Sequence, residues 1–436
     1  YLCTRLKLEE RQVFFSAQPL EMSYVFALEA KLSAASKRLL TNAPFKPQIP
    51  PELQGKQSLF RRILKRDILL FYPYESMEPF VRLIGEAASD PAVIYIRIAL
   101  YRIDKQSRIA EYLIMAAENG KDVTVTLELR ARFDEHNNIE WAERLEAAGC
   151  RVLYGVEGFK THAKICLIMR REKSRLQYFT QIGTGNYNEK TSSLYSDFSL
   201  MTANPEIGRD AVDFFKNIAI SNLDGRYGHL WVAPSGFKRN IMALIDGEIE
   251  KARKGLSCGI VIKANSVTDR DVIDKLSQAS CAGVHIDMIV RGICCILPGI
   301  PNKTENIRIV SIVGRFLEHA RVYAFGCGEN AGVYIASADL MTRNTERRVE
   351  IACPILDARL KNRVLEILRA QLSDNVKGRI MAPDGRYETV PVADGIFINS
   401  QDQFKVEAEE NTRKSAERAG LVEKVKRRLR ILGHVR

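Results

Sequence analysis

No Cys-x-x-Cys pair occurs among the nine cysteines of this 436-residue chain; the closest are the adjacent Cys294-Cys295. Zinc-ligand spacing is therefore missing, an odd count argues against a disulfide framework, and a reducing cytosol is the expected compartment. No run of about 18 apolar residues appears, so no membrane span is expected. Nor is there a Gly-x-x-x-x-Gly-Lys-Ser/Thr loop, which excludes a P-loop nucleotide site as far as a sequence can. Gly326-Cys327-Gly328 begins like a dinucleotide fingerprint, but it falls in a turn between two expected strands. The chain opens Tyr1-Leu2-Cys3, with neither methionine nor a signal-peptide pattern, and reads as a fragment or as a chain whose start has been removed.

What is present is enough for folded domains. The apolar share is 46%, and the length calls for two or three domains. A net charge of +12 and a pI near 9.2 call for an anionic partner: nucleic acid, anionic lipid, nucleotide or polyphosphate. Charge alone does not choose among them.

Along the chain, residues 1–41 read as a strand around Arg11–Phe15 followed by a helix around Leu28–Leu32. The prolines of Asn42–Pro51 fix φ and mark a linker. From Ala92 onward strands alternate with helices. Strands are expected at 92–100, 123–129, 150–154, 164–169 and 177–182, with helices near 109–118, 139–148 and 206–218. After Val232-Ala233-Pro234 the pattern restarts. It has helices at 239–251, 271–280 and 360–372, and strands at 259–263, 284–290, 307–312, 321–325 and 333–336. Such alternation predicts α/β domains with mixed sheets covered by helices on both faces. The expected boundaries are 1–55 for a preceding domain's end with its linker, 56–232 and 233–396 for two α/β domains, and 397–436 for a basic tail. That tail reads as a solvated helix or a disordered arm, with a polyanion or a membrane surface as its alternative partners.

The two halves also match in residues. Asp122–Arg130 lies over Gly283–Arg291, each a strand ending in arginine. Phe159-Lys160-Thr161-His162-Ala163-Lys164 lies over Phe316-Leu317-Glu318-His319-Ala320-Arg321. Arginine and histidine are 32 residues apart in the first half (162 − 130) and 28 in the second (319 − 291). Each triplet is followed by a strand, a turn and a second strand ending in Gly183-Thr184-Gly185-Asn186 or Ala336-Ser337-Ala338-Asp339. Several matches in one order predict a duplication. Packing of the copies about a pseudo-two-fold axis would bring both histidines and both strand-end arginines to a shared cleft.

That constellation permits phosphoryl transfer. Unprotonated imidazole is a nucleophile near neutral pH, and attack on a γ-phosphoryl group gives a phosphohistidine. Loose phosphoryl transition states need cations around the non-bridging oxygens, a task that suits the planar guanidinium fork. His136, in a turn, and His434, in the tail, are expected to be exposed and idle. The strand-end arginines Arg102, Arg132 and Arg291 also read as carboxylate partners, and Tyr195 as a core residue.

His-x-Lys followed by a Gly-x-Gly-Asn strand, duplicated, resembles the phospholipase D superfamily. More specifically, Lys160-Thr161-His162-Ala163-Lys164, Gly183-Thr184-Gly185-Asn186-Tyr187-Asn188, Ala131-Arg132-Phe133-Asp134-Glu135, Val290–Cys295 and Val313–His319 resemble bacterial polyphosphate kinases of the first type, from about Phe45 to about Val392. The resemblance implies two tandem duplicated phospholipase D-like domains packed around a shared cleft, with residues 1–41 the end of a head domain. It further implies reversible transfer of the ATP γ-phosphate to inorganic polyphosphate through a phosphorylated His162. His319 would assist as acid or nucleotide contact, Tyr195 and Arg291 would bind ATP, and Lys164 would add to the phosphate clamp. Arg102 and Arg132 match positions associated with Mg2+; since guanidinium cannot ligate a cation, they would hold the phosphates that carry the metal. ATP or ADP and polyphosphate would be the partners, with no nucleic acid. The intact protein would be a cytoplasmic homo-oligomer, peripheral at the inner membrane face.

Two departures stand out. The phospholipase pattern places aspartate seven positions after each histidine; here those positions are Met169 (162 + 7) and Gly326 (319 + 7). The second triplet carries Arg321 in place of lysine. Both count against a phospholipase D-like phosphodiesterase, which stays as one alternative beside a non-catalytic polyanion-binding fragment.

Overall fold

The computed structural model describes all residues except 14, 18, 20, 129–134, 393–394 and 434–436, and gives backbone alone for 2, 11, 135 and 418–433. It divides into two compact units, Tyr1–Lys46 and Pro47–Arg436. In the smaller unit the helices are Leu2–Leu6, Tyr24–Lys31 and Ala34–Leu40. The last is capped by Ser33, whose hydroxyl accepts from Ser36 N–H at 3.1 Å. Among the described residues of Arg11–Phe15 the expected strand is not there. Glu10–Gln12 forms a turn of 3-10 helix, closed by Glu9 and Gln12 side chains that satisfy the backbone more locally than a lone strand could.

The larger unit holds two mixed α/β sheets. The first runs, in spatial order, Ile68–Tyr72, Tyr195–Thr202, Arg175–Gly183, Ile165–Glu172, Val93–Leu100, Asp122–Leu127 and Arg151–Leu153. The last three are parallel and the rest antiparallel. In the second, Ile260–Ala264, Ile286–Val290 and Ile307–Ile312 are parallel, while Arg321–Phe325, Gly332–Ala336 and Ile351–Pro354 pair antiparallel on the other side. The duplicated sequence thus gives a duplicated sheet. The central strands carry apolar residues in near-continuous runs because helices cover both faces. Amphipathic helices such as Glu78–Ser89, Arg108–Glu118, Phe237–Arg253 and Ala358–Leu372 supply the covering layers. Each sheet has its own core: Phe80, Ile96, Ile98, Leu113 and Val125 in the first, Phe237, Ile262, Val272, Met288 and Tyr323 in the second, all fully buried. Burying each such side chain stabilises by roughly 1.5–3 kcal/mol.

The C-terminal segment is one helix, Ser400–Gly433. Its first turn is anchored: Ser400 N–H and hydroxyl both donate to Asp374, and Phe404 packs edge-on to Phe71 and Tyr74. No helix among the described residues is long and apolar enough to cross a membrane.

Candidate active site

The histidine segments do not stay in their own halves. Lys160–Thr161 pairs in parallel with Arg348–Val349 of the second repeat, and His162 N–H donates to Val349 O at 2.8 Å. Leu317–Glu318 pairs in parallel with the start of Tyr195–Thr202 of the first repeat, and Ala320 N–H donates to Ser196 O at 2.7 Å. A two-residue strand has few ladder bonds of its own, so the exchange supplies backbone partners, while Thr161 N–H donates to Glu128 of its own half at 2.9 Å. The exchange fixes both imidazoles.

Crossing over places each histidine against the other half's carboxylate. His162 Nδ1 lies 2.9 Å from Glu350 Oε2, and His319 Nδ1 lies 2.9 Å from both carboxylate oxygens of Asp197. Each carboxylate is in turn held by a hydroxyl from the strand-end tetrapeptide of the repeat it belongs to: Thr184 donates to Asp197 at 2.6 Å, and Ser337 donates to Glu350. Asn344 Nδ2 adds a bond to Glu350 Oε1 at 2.7 Å. An ionised carboxylate only accepts, so Nδ1 carries the proton in both rings and Nε2 presents a lone pair.

Electrostatics agree with neutral rings. Burial pushes His162 down to about 3, against the pull of Glu350 and with help from Lys164. Burial and then the Arg321 guanidinium push His319 down. Burial alone would raise both carboxylates. His162, Lys164 and Arg348 hold Glu350 below its ordinary value, and His319, Thr184 and Arg321 do the same for Asp197. We therefore take both pairs as neutral imidazole donating to carboxylate.

Cations surround the pair. Lys164 is fully buried; its ammonium donates to His162 O and lies 5.4 Å from the Tyr101 ring centroid. Burial lowers it well below an ordinary lysine. Arg321, the residue in the same place of the second repeat, donates to His319 Nε2 at 3.0 Å and to His319 O at 2.7 Å, and pairs with Asp339 at 3.0 Å. Arg291 Nε donates to Asn265 Oδ1 at 2.5 Å, and Asn265 Nδ2 bonds His319 O and Asp339 Oδ1. The Tyr195 ring sits 5.2 Å from the His319 ring, and Tyr101 meets His162 edge-on at 4.9 Å.

Of the residues expected from sequence, His162, Lys164, His319, Tyr195 and Arg291 thus gather around the crossed strands. Arg102 follows the strand Val93–Leu100 directly after Tyr101, its guanidinium carbon 5.9 Å from that ring. Arg132 and Arg130 lie outside the described residues, as does His434. His136 is exposed and meets only its helix neighbour Glu140, at 3.1 Å, among the bonds and ion pairs of the described residues.

The sequence reading missed Asp197 and Glu350. It searched seven positions beyond each histidine and found Met169 and Gly326, whereas the carboxylates come from the opposite half. A signal existed: Ser196-Asp197 lies 35 residues after His162 (197 − 162), and Val349-Glu350 lies 31 after His319 (350 − 319). Gly185 lies just past the strand Arg175–Gly183. A Cβ there would stand 2.1 Å from Asp197 Oδ2, so this glycine makes room for the carboxylate.

Fold and site together define a class: a tandem α/β protein whose two like halves exchange strands to build a paired-histidine centre. Comparison with known proteins narrows this. The family models "Polyphosphate kinase C-terminal domain 1" and "Polyphosphate kinase C-terminal domain 2" match residues 58–223 and 230–401. The polyphosphate kinase of Bacillus cereus is 44% identical over 407 residues, which is 93% of this chain and 58% of that protein. That of Halalkalibacterium halodurans is 46% identical over 385 residues, 88% of this chain and 54% of that protein. Among solved structures, polyphosphate kinase from Porphyromonas gingivalis superposes with a TM-score of 0.83 at 34% identity, covering 95% of this chain and 63% of that one. A Haemophilus influenzae phosphatidylserine synthase, at 12% identity and a TM-score of 0.50 over 88% of this chain and 98% of its own, shares the fold alone. The chain belongs to the polyphosphate kinase family. It spans 45% to 61% of the length of the curated relatives it matches.

Proposed function

We propose that these residues carry an ATP-polyphosphate phosphotransferase, with His162 taking the γ-phosphoryl group and passing it to the end of a polyphosphate chain. The single observation that carries the reading is the His162 ring: neutral, with Nδ1–H anchored on Glu350, and Nε2 without a hydrogen-bond partner among the described residues. Nε2 attacks the γ-phosphorus as the bond to the β–γ bridging oxygen breaks, and ADP leaves with that electron pair. Charge developing on His162 is met by Glu350, and charge on the phosphoryl oxygens by Lys164. A terminal phosphate oxygen of polyphosphate then attacks that phosphorus, the N–P bond breaks with its electron pair returning to Nε2, and the same steps reversed make ATP.

His319, Tyr195 and Arg291 line the adjoining half and suit the nucleotide. Mg2+ enters this reading as part of the substrate. Among the described residues no group of three or more His, Cys, Asp or Glu could hold a metal, whereas arginines such as Arg102 can hold the phosphates that carry it. Oligomerisation and association with a membrane surface belong to the same proposal for the intact protein.

The test is a chase. ATP labelled at the γ position should leave acid-labile, base-stable label on His162, and unlabelled polyphosphate should remove it. A His162→Ala protein that still turns over at the wild-type rate would sink the reading, as would label residing on a serine or a carboxylate.

A further inference from the structure

The duplication is broken at two equivalent positions, and both breaks fall on the histidine centre. In the first repeat the basic residue two after the histidine is Lys164, and the strand-end tetrapeptide closes in Asn186. In the second repeat these positions hold Arg321 and Asp339.

The consequences are visible at the rings. Lys164 donates to the backbone carbonyl of His162 and leaves the imidazole alone. Arg321 is longer and forked: one nitrogen reaches both His319 O and His319 Nε2, while the other is paired with Asp339 at 3.0 Å. A neutral ring whose Nδ1–H is given to Asp197 has one lone pair, and Arg321 occupies it. Asp339 also offsets the guanidinium charge, whereas the first repeat places an uncharged amide, Asn186, at the same point. Outwardly the two rings are alike. Both hold a carboxylate on Nδ1 at 2.9 Å, and their side chains are 11% and 13% exposed.

We propose that Arg321 and Asp339 are the positioning residues that confine phosphoryl transfer to His162, by occupying the His319 lone pair and neutralising the cation beside it. The second half is thereby turned from a second nucleophile into a rigid, non-reacting wall of the site. The assignment of the transferred group as phosphoryl rests on the function proposed above; the difference in lone-pair availability does not.

Two measurements test it on the full-length protein. The first needs no substrate and no variant: carbethoxylation by diethyl pyrocarbonate, mapped by peptide mass spectrometry. Because exposure is matched and a charged donor caps only one ring, His162 should react roughly tenfold or more faster than His319. Equal rates, or faster reaction at His319, overturn the proposal whatever the enzyme does. The second moves the reaction. In His162→Ala no stable label from γ-labelled ATP is expected, whereas His162→Ala/Arg321→Lys/Asp339→Asn should be labelled at His319. There Nε2 attacks the γ-phosphorus and ADP leaves. Label on His319 in the single variant overturns the proposal, as does a folded, ATP-binding triple variant that stays unlabelled. Absence of label in the wild type would count against the phosphotransferase reading instead.

Discussion

Glu350 accepts the Nδ1 proton of His162 at 2.9 Å from a position 188 residues further along the chain. The reciprocal pair, Asp197 with His319, spans 122 residues in the opposite sense, the carboxylate preceding its histidine. Neither half holds a complete histidine–carboxylate couple, so the site exists only where both domains are folded together.

Removing the charge of either carboxylate should therefore disable the centre without dismantling it. Glu350→Gln keeps the size and one acceptor but no longer stabilises charge on His162 or enforces its tautomer. Steady-state turnover is expected to fall by roughly a hundred- to ten-thousand-fold, and the melting temperature to fall as well, because buried Lys164 and Arg348 lose their countercharge. A loss smaller than about threefold would contradict the role given to this residue.

Gly185 is a steric requirement of Asp197. A methyl group there meets the carboxylate at 2.1 Å and must push it away from His319. Overpacking of this kind costs about 1–3 kcal/mol. Gly185→Ala should thus lower the urea midpoint and impair turnover together, and the Asp197→Asn background should show a much smaller further loss of activity.

The buried histidines make acid stability predictable in sign. His162 titrates near 6.5 when unfolded and at about 3 when folded. Between those values the unfolded chain binds a proton that the folded chain refuses, so stability present above about pH 6.5 is lost as pH falls toward about 3. Urea unfolding midpoints should drop more between pH 6.5 and about pH 4 for the wild type than for His162→Gln. Parallel curves for the two proteins would reject this assignment.

Beneath His319 lies a second buried ion pair. Lys263 Nζ and Glu318 Oε2 are 2.5 Å apart, both almost wholly buried, and Ser196, Gln371 and Gln401 also donate to Glu318. Lys263→Met leaves the carboxylate unpaired and should cost about 3–5 kcal/mol in chemical denaturation. Lys263→Met/Glu318→Gln should recover much of that loss.

Local pattern in the sequence determined the element order, the duplication and the identity of the paired histidines. The strands at 93–100, 165–172 and 321–325 and the helices at 108–118 and 358–372 are legible because apolar periodicity and turn residues act over a few neighbours. The residues preceding Ala92 and the strand Tyr195–Thr202 were harder. In that strand polar and apolar residues are both buried, Ser196, Asp197 and Ser199 among them, so no alternation marks it. Only the tertiary structure decided which carboxylate serves which histidine. Partners more than a hundred residues apart leave no local trace, and the strand exchange that joins them is set by two domains satisfying each other's backbone hydrogen bonds. The same holds for Arg321. Sequence reports an arginine where its repeat has a lysine; only packing shows that this arginine ends on the ring nitrogen that would otherwise react.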